Sequence, residues 1–200
     1  MLYPAFYKCL TDRHPHPRVE VELLRQIVND HHVGVGRVSF RFFEDFEGAE
    51  FGNFIWLDEE RTSAYEEPFN DAVVFINSRF RDERPMRRIV ATKELMHVFD
   101  GAEQRVTTRE AFVALLREIE SNPMPEDASL AYDADRGALW KATLALVPPW
   151  IRNEFLEPWK AGTVKAPELA ARLWLPEQVV NAAMGTYYER AFALFVNGGE

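Results

Sequence analysis

Along residues 18–29 the apolar side chains Val19, Leu23, Leu24, Ile27 and Val28 recur at the spacing of one helix face. His31-His32, followed by Gly34 and Gly36, breaks that period. From Val38 to Phe42 the order Val-Ser-Phe-Arg-Phe alternates with period two, which predicts a strand. Residues 51–57 and 72–76 predict two further strands, and the acidic stretch over 58–67 predicts the loop between them. Asp82-Glu83-Arg84-Pro85 places acids and a proline where a helix begins. That helix should run to about Phe99 and stop at Asp100-Gly101.

Downstream the helical period dominates. Thr107-x-x-Glu110 has the form of a capping box ahead of Phe112, Leu115, Leu116 and Ile119, and Asn122-Pro123-Met124-Pro125 closes that helix. Another helix is predicted over 129–146, broken by Pro148-Pro149, and two more over 167–173 and 176–195. No internal repeat or low-complexity tract interrupts the series. Three short strands followed by many helices predict an α+β fold: a small antiparallel sheet and then a mostly helical body.

Composition narrows the class. Two hundred residues with 47% hydrophobic and 13% aromatic content can close one well-packed domain, with room for a small appendage. A formal charge of −9 argues against nucleic acid, which calls for a basic stripe. The only basic cluster, over residues 79–88, is diluted by Asp82 and Glu83. One cysteine, Cys9, excludes an internal disulfide framework and fits a reducing compartment. The first ten residues lack a basic-then-apolar signal pattern, and no apolar run approaches the roughly 20 residues that span a bilayer. A cytoplasmic protein without membrane partners is the expectation.

Several other constellations are weak. His14-Pro15-His16 and His31-His32 lack helical i, i+4 spacing with a carboxylate partner. Gly34-Val35-Gly36 lacks the remaining residues of a phosphate loop, and Cys9 has no local sign of activation. The helices over 167–173 and 176–188 imitate a helix-turn-helix. Their cations, Lys165, Arg172 and Arg190, are balanced by Glu168, Glu177 and Glu189, which argues against DNA reading.

The strongest chemical signal is Lys93-Glu94-Leu95-Met96-His97. In the pattern H-E-x-x-H, two histidines at i and i+4 hold zinc from one helix face, and the glutamate is general base for the metal-bound water. Here Glu94 and His97 stand at that spacing, with Lys93 in the first histidine position. Arg87-Arg88-Ile89-Val90-Ala91-Thr92 precedes the pentapeptide. Asp135 opens a later stretch of the form acid-x-x-Ala-x-x-x-Ala-x-x-x-Leu-x-Pro, which contains Ala138, Ala142, Leu146 and Pro148. An ordinary helix with an exposed glutamate and a half-buried histidine is the competing description.

From about Asp71 to Pro148 this arrangement resembles the ImmA/IrrE family of zincin-like metallopeptidases. The family has a helix of the type R-R-[FI]-x-x-A-H-E-x-G-H, then a helix with an acidic third ligand that ends in Leu-x-Pro. The chain departs from the pattern at Lys93, at Met96 and at Asp135, where glutamate is common. The resemblance implies a zincin-like domain over 1–150 with a C-terminal helical extension, 151–200, packed on it. His97 and Asp135 take the metal-ligand positions, and Glu94 takes the position of the base.

Lysine ligates a metal only as the neutral amine, and neutralising it at pH 7 costs about 4.6 kcal/mol from an ordinary pKa of about 10.4. The protonated form can instead pair with Glu94 or Asp135 and stand in for the cation. The expectation is therefore a degenerate site with no cofactor, in a protein that works by binding a protein or peptide. The strand around residues 73–76, Val73-Val74-Phe75-Ile76, is the expected place for strand addition. By resemblance, the partner belongs to a regulatory or mobile-element context. Two alternatives stay open. One is an active zinc peptidase in which His31 or His32 joins His97 and Asp135. The other is an unrelated interaction domain.

Overall fold

The computed structural model describes residues 2–44, 51–57, 70–100 and 130–198. In chain order these form α1 (Tyr3–Arg13), α2 (Val21–His31), β1 (Val35–Phe43), β2 (Gly52–Leu57), β3 (Asn70–Asn77) and α3 (Arg84–Met96). Then come α4 (Leu130–Leu146), α5 (Pro149–Lys160), α6 (Ala166–Leu173), α7 (Glu177–Met184) and α8 (Tyr187–Phe195). The fold is α+β, a small sheet with a mostly helical body. The expected capping-box helix from Thr107, the loop at 122–125 and the acidic loop over 58–67 lie outside the described residues.

The sheet corrects two expectations. Its strand order is β1-β3-β2, with β1 parallel to β3 and β2 antiparallel to it, so the sheet is mixed and not antiparallel. The strand proposed as an edge, Val73 to Ile76, lies in the middle, paired on both sides: Val73 with Ser39 and Ile55, Ile76 with Phe42 and Gly52. The reason is visible in the side chains. β3 is apolar on both faces through Ala72, Val73, Val74, Phe75 and Ile76, whereas β1 alternates with exposed Arg37 and Arg41. A strand without a polar face is most stable where neighbours cover both edges. Among the described residues, β2 takes the edge.

Helix α3 lies between this sheet and α4, and also touches α2. Every residue from Arg88 to Met96 is buried, the two charged ones near its end included. The helix begins with Pro85 in its first turn and ends in a 3₁₀ turn, His97–Phe99, which Asp100 closes. α4 presents Ala138, Ala142 and Ala145, all fully buried, so neighbouring backbones can approach closely.

Two helices were not expected. In α1, Tyr3, Phe6, Tyr7 and Leu10 are buried, and the Tyr3 hydroxyl donates to the Lys141 carbonyl on α4 at 2.6 Å. α5 starts on Pro149, where a missing N–H costs nothing, and carries Pro158 within its last turn. The single helix expected over 176–195 is two, α7 and α8, separated at Gly185-Thr186. The buried apolar residues on both sides of residue 150 belong to one cluster that extends from Tyr3 to Ala191. Among the described residues, no helix is long and apolar enough to cross a membrane.

Candidate functional site

The end of α3 and the first half of α4 bring Lys93, Glu94, His97 and Asp135 into one buried polar cluster. Each of the four is between 3% and 4% exposed. Lys93 Nζ lies 3.0 Å from Glu94 Oε1 and forms an ion pair with Asp135 Oδ1. His97 Nε2 faces the same two carboxylates, 3.4 Å from Asp135 Oδ1 and 3.8 Å from Glu94 Oε2. The ammonium thus bridges the acid that follows it on α3 and the acid contributed by α4.

Two residues that the sequence reading did not assign complete the cluster. Asp100 Oδ2 lies 3.0 Å from His97 Nδ1, and Asp100 Oδ1 accepts from Lys141 Nζ at 2.5 Å. The signal for Asp100 was present, since it stands three residues after His97 at the end of the same element. Nothing local marks Lys141, which arrives on α4 with Asp135. A carboxylate on Nδ1 fixes the ring's orientation and directs Nε2 toward Asp135 and Glu94.

Burial alone would drive Lys93, His97, Asp100 and Asp135 toward their neutral forms, and the partners reverse that tendency. Despite burial, Glu94 and Asp135 hold the Lys93 ammonium above the ordinary lysine range. Burial opposes the charge on His97 as well. Its hydrogen bonds to Asp100 and Asp135, with the charge of Glu94, nevertheless raise its pKa above the usual value. Burial pushes Asp100 up, but His97 and Lys141 outweigh it and keep the carboxyl below its normal range. Asp135 behaves likewise, held down by His97 and Lys93. Lys93, His97, Asp100 and Asp135 thus each favour the charged form in the presence of the others. A buried cluster of this kind fixes geometry more than it adds net stability.

Gly52 of β2 approaches this part of α3 closely. A Cβ there would stand 2.7 Å from Val90 Cγ1 and 2.9 Å from Glu94 Cγ. Glycine is required by that contact, not by backbone conformation. It lets the edge strand run beside Glu94.

The open alternative, a three-ligand zinc site, needs a lone pair in each ligand position. The place facing both Glu94 and Asp135 holds a cation of the protein's own, which retains its proton and offers no lone pair. His31 and His32 lie at the end of α2, where His31 is exposed and the His32 ring packs 5.7 Å from that of Phe99.

Fold and site together define an α+β protein whose central helix ends in a buried lysine–carboxylate–histidine cluster beside an edge strand. No family model, no curated protein and no solved structure matches the chain.

Proposed function

We propose that the chain is a zincin-like protein of the ImmA/IrrE type whose metal site has become an internal ion-pair cluster, and that it acts by binding a protein partner without cleaving it. One observation carries the reading: the Lys93 ammonium stands between Glu94 and Asp135, where a peptidase would place its ion. Glu94 is engaged by that ammonium, which leaves it no activated water from which to take a proton. The partner surface moves from β3 to β2. Among the described residues β2 is paired on one side only, it passes Glu94 at Gly52, and its Ile55 and Leu57 are exposed. An extended segment that adds to β2 would lie along the cluster.

The test is metal content and proteolysis, measured on the same preparation. Purified protein is expected to carry far less than one zinc per chain and to leave unfolded protein substrates intact. Lys93→His restores a second imidazole one turn from His97 and is expected to take up zinc at near-stoichiometric level. Stoichiometric zinc in the natural sequence, with proteolysis that disappears in Glu94→Gln, would overturn the proposal. A metal-free Lys93→His variant would show that Asp135 and His97 are not inherited ligand positions.

A further inference from the structure

On the β1 side of α3, away from Gly52 and β2, lies a cleft of about 360 Å³. Its apolar lining is Phe40 and Phe42 of β1, Ile76 of β3, Ala91 of α3 and the indole of Trp174. Phe42 is 42% exposed, so a large aromatic face is open to solvent here. The volume lies at the small end of the range for small-molecule sites, roughly 300–1,000 Å³.

The polar lining is cationic, although the chain as a whole carries −9. Arg84, Arg87 and Arg88 come from α3 at positions that share one helix face, and Glu20 and Glu22 come from the start of α2. Both glutamates are already engaged. Glu20 pairs with Arg18 and Arg88, and Glu22 with Arg25. Arg88 is 5% exposed, donates to the Val19 carbonyl and to Glu20, and its buried Nε has no acceptor among the described residues. Arg84 and Arg87 have no carboxylate partner among the described residues. Arg87 donates to the Arg81 carbonyl, while the Arg84 guanidinium lies over Trp174 with its carbon 3.8 Å from the ring centroid. Arg18 lies over the same ring at 3.2 Å. Trp174 is held in the left-handed region, with φ of 55°, where a non-glycine residue is uncommon.

We propose that this cleft binds a small flat acid: an apolar, ring-sized body that carries one carboxylate or phosphate. The body rests on Phe40, Phe42 and Ile76, and the anion is taken by the guanidinium forks of Arg84 and Arg87 at the edge of Trp174. Planar forks that face no protein carboxylate are matched to an oxyanion, and a carboxylate and a phosphate satisfy them in the same way. The site is separate from the Lys93 cluster, because Arg84, Arg87 and Arg88 lie on a different face of α3 from Lys93 and His97, and the cleft sits at the β1 edge of the sheet, not at β2.

Calorimetric titration of the full chain with 2-naphthoate, 2-naphthyl phosphate and the uncharged 2-naphthylmethanol tests the proposal. Indole resonances followed by NMR locate the bound probe. At least one acid is expected to bind saturably, at least ten-fold more tightly than the alcohol, and to move the Trp174 indole signal. Which acid does so assigns the anion. Arg84→Gln combined with Arg87→Gln, at an exposed and a half-buried position, should weaken that acid at least ten-fold. Should this variant fail to fold, Phe42→Ser reads the apolar half of the site and should weaken both acids. The inference falls if neither acid binds at millimolar concentration, or if acid and alcohol bind equally. It also falls if the variants bind as the natural sequence does, or if binding leaves the Trp174 signal unmoved.

Discussion

Replacing Lys93 by methionine removes the charge and keeps most of the side-chain volume. At 3.0 Å and an effective dielectric of about 20, the attraction between Nζ and the Glu94 carboxylate alone is about 5 kcal/mol, and Asp135 adds a second contact. Most of that gain offsets the cost of stripping water from three charges, so the pair's net worth in the intact protein is small. The variant has no such compensation. It leaves Glu94 and Asp135 buried, both charged and no longer bridged, and a buried pair broken from one side loses about 3–5 kcal/mol. Urea denaturation at pH 7 measures this directly. With a slope of about 2 kcal/mol per molar, the midpoint should fall by about 2 M.

The deficit should shrink as pH drops, because the orphaned carboxylates can then take up protons, and Asp135→Asn in the same background should recover part of it. A loss below 1 kcal/mol is the scale of an exposed ion pair. That result would mean the ammonium reaches water, and the proposed reading of the Lys93 cluster would fail with it.

Three further outcomes follow from the same geometry. The His97 imidazole should titrate above 6.5 by NMR, and Asp100→Asn should bring its midpoint down, since the Nδ1 partner then carries no charge. Because the folded-state pKa of His97 is raised, its contribution to stability is fully present below about 6.5 and is lost as pH rises through the folded value. The depressed Asp100 and Asp135 act in the opposite sense: their contribution is present above about 4 and is lost as pH falls through their folded values, a trend that acid unfolding curves will report. Gly52→Ala should cost about 1–3 kcal/mol in thermal or urea unfolding, because the new methyl also meets the Phe75 carbonyl oxygen at 2.9 Å. A neutral result there would show that β2 can move away from α3 at little cost.

Local pattern gave α2, α3 and α4 to within a few residues: an apolar stripe marks α2, Pro85 and Asp100-Gly101 bracket α3, and Pro148-Pro149 ends α4. It could also have given α1, whose buried residues at 3, 6, 7 and 10 are a helix face, but aromatic side chains and an early proline mask the period. α5 was hidden by Pro149 and Pro158, which read as breaks, although Pro149 opens the helix, where proline is tolerated, and Pro158 lies only in its last turn. Asp100 was legible as a partner for His97 by spacing alone. Lys141 and Gly52 were not, since each acquires its meaning from a different element.

What the amino-acid order determined was the set of chemical groups at the end of α3: a lysine, a glutamate and a histidine at fixed helical offsets, with an acid later in the chain. Hydrogen bonds within a helix fix those offsets, so any fold that keeps the helix keeps them. Tertiary packing decided that the lysine turns inward, because a long stem can also reach water, and Asp135, delivered by α4, joins Glu94 in pairing the buried charge. It also decided which strand lies at the edge. Pairing order depends on how three strands divide one core between them, and no window along a single strand contains that information.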